Sequence, residues 1–177
     1  AVPAAKRLLG LVLVHDARRA RIVETEAYVG PHDLACHAAK GRTARTEVLF
    51  GPPGLAYVYF IYGMYNCLNV VTGPDGFASA VLIRACEPLH PGLPPMDGPG
   101  KLCRALDIDR SFNRMDLCDA NSPLHLELDD RAPRPCIASG PRLGVDYAGL
   151  WADKPYRFMV ADSPFAPRPR LPRRARR

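Results

Sequence analysis

The chain has 177 residues, 47% of them hydrophobic and 24% charged, enough for one globular domain with a sizeable core and too balanced for an intrinsically disordered chain. Its formal charge of +6 points to an anionic partner, yet six arginines (Arg168, Arg170, Arg173, Arg174, Arg176, Arg177) fall in the last ten residues, and without them the charge is zero. The excess therefore sits in a Pro/Arg-rich tail over 167–177, expected to be disordered and readable as a polyanion-binding arm or as a solvated terminus; charge alone does not make the folded part, 1–166, a nucleic-acid binder.

In chain order, residues 8–15 and 21–28 read as two strands of a hairpin around the turn-like Asp16-Ala17-Arg18-Arg19. The apolar run inside the first strand is followed by charge and not by a small-residue cleavage site, which argues against a signal peptide. Residues 55–62, 65–72 and 78–87 are rich in Val, Ile, Tyr and Phe and are separated by Gly63-Met64 and Gly73-Pro74-Asp75-Gly76, an antiparallel meander. A Pro/Gly-rich loop over 88–99 precedes a short helix at 101–106. Residues 119–135 read as irregular, and 137–145 and 156–160 as two late strands, so the fold class is an α/β or α+β domain dominated by antiparallel sheet. Nothing approaches the roughly 20 apolar residues of a membrane span.

Several motifs fail on inspection. Gly98-Pro99-Gly100-Lys101 invites a phosphate-loop reading, but Pro95 stands where the first glycine belongs and Leu102 where Ser or Thr belongs. Asp107, Asp109 and Ser111 begin like a calcium loop, with Phe112 and Cys118 in place of its Gly and Glu. Cys36 and His37 are adjacent, and extended backbone points such neighbours apart, which disfavours cysteine nucleophile chemistry. The six cysteines form no C-x-x-C pair, and no His or Cys spacing beyond the weak His32/Cys36/His37 group suggests zinc, so a reduced intracellular compartment and no metal are expected.

Strand alternation in Ile22-Val23-Glu24-Thr25-Glu26-Ala27-Tyr28 puts Glu24, Glu26 and Tyr28 on one face, with neighbours roughly 6.5 Å apart. Those acids are either an exposed, ion-paired surface or a pair with a chemical task. Tyr57, Tyr59, Tyr62 and Tyr65 crowd one hairpin; Tyr57 or Tyr65 is expected in the core with its hydroxyl satisfied, whereas a tyrosine at the tip offers a flat wedge able to enter a base stack.

Five segments, Glu24-Thr25-Glu26-Ala27-Tyr28-Val29-Gly30, Ala35-Cys36-His37, residues 57–65 (Y-V-Y-F-I-Y-G-M-Y), residues 82–88 (L-I-R-A-C-E-P) and Gly100-Lys101-Leu102-Cys103, resemble the alkyladenine (3-methyladenine) DNA glycosylase family. They occur in the family's order, and the similarity spans about residues 7 to 165. The resemblance implies an α+β single domain, a curved antiparallel sheet with flanking helices and a protruding hairpin, like the C-terminal domain of formyltransferases. It also implies a monofunctional glycosylase of base excision repair, acting without cofactor on double-stranded DNA that carries a damaged purine (3-methyladenine, 7-methylguanine, hypoxanthine or ethenoadenine). Such an enzyme is monomeric, has no membrane partner and works in the cytoplasm, bacterial-type and nucleoid-associated.

By the same resemblance Glu26 activates water for attack on the deoxyribose C1′ and Arg84 helps hold that water, leaving Glu24 structural. Tyr28, His37, Tyr59, Asn69, Leu82 and Leu143 form the base pocket: aromatic faces favour cationic rings, and Asn69 disfavours the exocyclic amine of guanine. Tyr62 intercalates, with Met64 beside it in the groove, and Lys101, Arg42 and Arg45 contact phosphate. The alternative for His37 is a satisfied loop histidine, the lesser reading, and for Lys101 a solvated helix-start lysine. The family loop more often reads R-T-x-R-N, where this chain has Thr46. Competing readings are an inert damage-recognition protein, which requires a broken Glu26 and Arg84 pair, a formyltransferase-like module, whose Asn-His motif is not evident, and an RNA-binding sheet protein.

Overall fold

The computed structural model describes residues 1–129, 134–161 and 163–167; residues 168–177, most of the Arg-rich tail, lie outside the described residues. The chain starts with a short helix, α1 (Val2–Leu8), carrying Pro3 in its first turn, where the missing N–H has no intrahelical partner anyway. Ala5 and Leu8 bury one helical face, and Gly10, at φ 91°, turns the chain into strand β1 (Val12–His15). The strand expected over 8–15 therefore begins four residues late, because Leu8 packs as the last helical residue.

Asp16 (φ 50°) and Ala17 make a two-residue turn into β2 (Arg18–Tyr28), so Arg18 and Arg19, expected in the turn, pair with His15 and Val14 as strand residues. The meander follows as β3 (Ala56–Ile61), β4 (Tyr65–Val71) and β5 (Ala80–Pro88), and then helix α2 (Pro99–Ala105). The stretch 119–135, expected to be irregular, contains β6 (Leu124–Glu127), whose four residues are too few for alternation to announce. The strand expected over 137–145 is only β7 (Ile137–Gly140), since Pro141 has no N–H to extend a ladder. It pairs with β8 (Arg157–Val160).

All pairings are antiparallel, in the order β3-β4-β5-β2-β1-β6, with β8 joined to β2 and β7 to β8. The sheet curls as a half-barrel, and α1 and α2 pack on it over the main core of Leu13, Ile22, Leu68, Ile83, Leu102 and Leu106. The class is α+β. Strand β2 is its centre, flanked by β5 on one side and by β1 and β8 in succession on the other.

Between β2 and β5 the register breaks twice. Ile22 pairs with Cys86, Glu24 with Ala85 and Thr25 with Ile83, so Val23 is extra in β2 and Arg84 is extra in β5. A one-residue slip exchanges the two faces of a strand. Ala20 and Ile22 point into the main core before the slip, and Ala27 does so after it, as Cys86 and then Ile83 and Val81 do in β5. Glu24, Glu26 and Tyr28 are thereby turned to the opposite face.

The β3-β4 hairpin ends in Tyr62-Gly63-Met64, with Tyr62 at φ 54° and Gly63 at φ 67°, so the tip expected at Gly63-Met64 also includes Tyr62. Tyr62 and Met64 protrude into solvent, 82% and 60% exposed. Among the described residues no helix is long and apolar enough to cross a membrane.

Helix α2 is held against this hairpin beside its tip by the close approach of Gly100 to Tyr65, the first residue of β4. A Cβ on Gly100 would lie 2.7–3.0 Å from the Tyr65 ring and Cβ, whereas one on Gly98 meets nothing within 4 Å. Gly100→Ala is expected to cost about 1–3 kcal/mol of unfolding free energy by overpacking, and Gly98→Ala to stay within about 0.5 kcal/mol; urea titration of both variants checks the difference.

Candidate active site

One transverse row of the sheet carries the site. Tyr57 on β3 pairs with Asn69 on β4, Asn69 with Leu82 on β5, Leu82 with Glu26 on β2, and Glu26 with Arg157 on β8. Directly paired residues share a face, so five strands deliver these side chains to one side of the sheet. Tyr28 and Ala80 pair in the row beside it.

Glu24 and Glu26 are both fully buried, which excludes the reading of an exposed, ion-paired surface. Glu24 is held by the Arg157 guanidinium. Burial pushes its carboxyl above the usual range, against the pull of Arg84 and Arg157. Glu26 accepts hydrogen bonds at both oxygens, from the Leu143 backbone N–H to Oε1 at 2.9 Å and from the Tyr28 hydroxyl to Oε2 at 2.9 Å. Arg84 Nε lies 3.5 Å from Glu24 Oε2 and 3.5 Å from Glu26 Oε1, ion-pair distances without hydrogen-bond geometry.

Above these groups opens a cavity of about 430 Å3 whose wall includes Tyr28, His37, Tyr59, Asn69, Leu82, Arg84 and Leu143. Glu26 itself lies behind Tyr28, Leu143 and Arg84, at the floor. Every expected pocket residue is thus brought together. Asn69 is fixed by donating to the Tyr57 carbonyl at 3.1 Å, and the Tyr57 hydroxyl, expected to be satisfied, contacts His37 Nδ1 at 2.9 Å. The His37 ring meets Tyr59 edge-on at 4.6 Å, and Arg45 lies over the Tyr59 ring at 5.1 Å.

Burial, with Arg45 and Lys40 nearby, lowers the His37 pKa to about 4, so its imidazole is neutral near pH 7. Burial raises the Tyr28 and Tyr59 phenols far above their ordinary value, Glu26 adding to the first and Cys67 to the second. The aromatic groups of the wall are therefore uncharged, while Arg84 lines the cavity and Glu24 and Glu26 lie behind it.

The rim holds Tyr62 and Lys101. Lys101 Nζ contacts Asp97 Oδ1 at 2.8 Å in solvent, and Arg42 forms a two-pronged bond to Glu47 at 2.8 Å, also exposed and outside the cavity wall. Thr46 hydrogen-bonds Thr43 and the Gly41 carbonyl, so its side chain holds its own loop. All six cysteines are free thiols, and among the described residues no group of His, Cys, Asp and Glu is placed to hold a metal.

Sequence reasoning missed Asp33, Arg142 and Arg157. Arg142 is buried and donates to both oxygens of buried Asp33, at 2.5 and 2.9 Å, to the Ala27 carbonyl at 2.9 Å and to the Trp151 carbonyl at 3.1 Å. Asp33 also accepts from the Val29 and Ala35 backbone N–H groups. This pair locks the segment after β2 to the 141–145 loop and so places the Leu143 N–H on Glu26. The available signal was a count of charge: two acids inside a strand require buried cations, and Arg142 and Arg157 each stand among apolar neighbours.

A family model described as methylpurine-DNA glycosylase (MPG) matches residues 1–164. Three relatives, each named "Putative 3-methyladenine DNA glycosylase", share 55% identity in Myxococcus xanthus, 50% in Methanocella arvoryzae and 47% in Legionella pneumophila. The matches cover 92%, 90% and 91% of this chain and 86%, 87% and 89% of those proteins.

The neutral His37 has a measurable consequence. With a folded pKa near 4 against 6.5 for a free imidazole, the unfolded chain binds the extra proton first, so this stabilisation is complete above pH 6.5 and is lost as pH falls toward 4. The stability advantage of wild type over His37→Gln, measured by urea unfolding, is expected to be constant above pH 7 and to shrink between pH 6.5 and 4; an advantage that does not change with pH removes the basis for a neutral imidazole.

Proposed function

Because the chain belongs to the methylpurine-DNA glycosylase family, we propose that it is a monofunctional glycosylase of base excision repair. It takes alkylated or deaminated purines (3-methyladenine, 7-methylguanine, hypoxanthine and ethenoadenine) out of the duplex and hydrolyses their N-glycosidic bond with a water activated by Glu26. The observation that carries this reading is a fully buried carboxylate, held by two hydrogen bonds and an arginine, beneath a cavity with neutral aromatic walls.

Each Glu26 oxygen accepts one hydrogen bond from the protein and retains acceptor capacity, so the carboxylate can take a bond from water while its own orientation stays fixed. Arg84 Nε, which makes no hydrogen bond to the described protein, supplies a donor beside Glu26 Oε1. In the reaction the water oxygen bonds to the deoxyribose C1′, the C1′–N bond breaks, its electron pair returns to the purine, and the water proton passes to Glu26. The Glu26 carboxylate, close to the reacting C1′, favours the oxocarbenium-like transition state electrostatically. Tyr28, Tyr59 and neutral His37 present π faces without a positive charge, which suits a cationic alkylpurine and does not repel it. Asn69, clamped to the Tyr57 carbonyl, is a rigid wall against the guanine exocyclic amine. Tyr62 fills the vacated stack with Met64 in the groove, and Lys101, Arg42 and Arg45 meet phosphates, the first two by exchanging exposed carboxylate partners for DNA.

The product is an abasic site in an uncut strand. The enzyme works intracellularly, as a monomer, with residues 1–166 as the catalytic unit. In single-turnover assays on duplexes containing hypoxanthine or a methylated purine, with alkaline cleavage reporting abasic sites, Glu26→Gln is expected to slow base release about 10²–10⁴-fold while retaining binding to a duplex with an abasic-site analogue. Tyr62→Ala is expected to weaken that binding. A Glu26→Gln rate within a few fold of wild type would sink the assignment of the base.

A further inference from the structure

The mouth of the cavity has a second aromatic side. Tyr147 belongs to the 3-10 turn Asp146–Trp151 and lines the cavity rim with Tyr62, yet it is 71% exposed. The turn is anchored from below, where Val145 and Ala148 pack with Ala35 in a small separate core and Tyr28 lies against them. Anchoring the inner residues fixes what the outer ones present. Tyr147 and Leu150 face solvent on this turn, and Leu34 does so on the neighbouring segment joined to it through Ala35. Partial burial, with the Tyr62 phenol among the neighbouring groups that add to it, pushes the Tyr147 phenol up.

We propose that Tyr147 is a DNA-contacting residue, the second lip of the pocket mouth, packing on the sugar and base that flank the extruded nucleotide while Tyr62 fills the gap it leaves. The inference rests on the base-extrusion reading of the cavity. A nucleotide inside the cavity stays covalently joined to both neighbours, so the flanking sugars lie over the rim, and a rim residue that stands in solvent is covered by them. A large exposed apolar ring continuous with a binding cavity fits such a covering partner better than bulk water. An aromatic face accepts any base or sugar, so the contact adds affinity for the distorted site without sequence preference. Tyr147 is remote from Glu26 in hydrogen bonding and leaves the chemical step alone.

The test uses the full-length protein and a duplex containing a tetrahydrofuran abasic analogue, beside an undamaged duplex of the same sequence. Tyr147→Ala is expected to weaken binding to the tetrahydrofuran duplex about 5–20-fold, with the saturating single-turnover rate and the thermal midpoint unchanged, and Tyr147→Phe to bind as wild type does. The second lip is overturned if Tyr147→Ala binds the tetrahydrofuran duplex as tightly as wild type, or if it loses equal affinity for undamaged DNA. Wild type that fails to prefer the tetrahydrofuran duplex overturns the extrusion reading itself. Wild type that prefers it, with Tyr62→Ala impaired and Tyr147→Ala intact, overturns the lip alone.

Discussion

Three carboxylates, Glu24, Glu26 and Asp33, are buried in this small domain, and three guanidiniums, Arg84, Arg142 and Arg157, meet them. Taking charges out of water is costly, and each pair holds only if geometry and additional hydrogen bonds replace the lost hydration. Arg157 comes from β8, Arg84 from the irregular step in β5, and Arg142 from the loop after β7, so satisfying the acids of β2 and its following segment requires three distant parts of the chain to arrive together. Removing one partner from a buried pair costs about 3–5 kcal/mol. The floor of the site and the closure of the sheet around β2 are thus one energetic unit, and a carboxylate held by this many parts of the structure has little freedom to move.

The cavity keeps its carboxylates apart from its aromatic walls. Phenols and an imidazole kept neutral by burial surround the space, so attraction for an electron-poor ring comes from π faces and from the acids below. Outside it, Arg42 and Lys101 are ion-paired in solvent, where such pairs are weak, and Arg45 is stacked on Tyr59.

Much of this was legible in the residues. Alternation placed Glu24, Glu26 and Tyr28 on one face, the β-rich runs marked the meander, and the glycine-bounded tip marked the hairpin. Helix α1 was missed because Leu8-Leu9 reads equally as the end of a helix or the start of a strand, and only the packing of Ala5 and Leu8 decides it. Strand β6 was missed because its pairing with β1 is a long-range fact that four residues cannot signal. Asp33, Arg142 and Arg157 were missed for a related reason: a buried ion pair is written in no local pattern, since each member makes sense only when its partner is in place. Local periodicity carries faces and turns; it does not carry charge balance across the chain.

The paired irregularities at Val23 and Arg84 also set a rule of length. Each strand returns to its starting alignment after the break, so the sheet beyond it is undisturbed, while the core-facing parity of both strands has changed. Regular alternation through the intact strands would put Glu26 on the face of Ile22 and Leu82 on the face of Cys86, both in the core, so one extra residue in each strand is what carries Glu26 and Leu82 to the cavity side. Losing Val23 and Arg84 together would give a smooth ladder that still keeps Glu26 on the cavity side, but without the guanidinium beside it. The extra residue of β5 is itself the cation beside the two carboxylates, so in this stretch a change of length is also a change of charge, which no catalogue of tolerated substitutions would register.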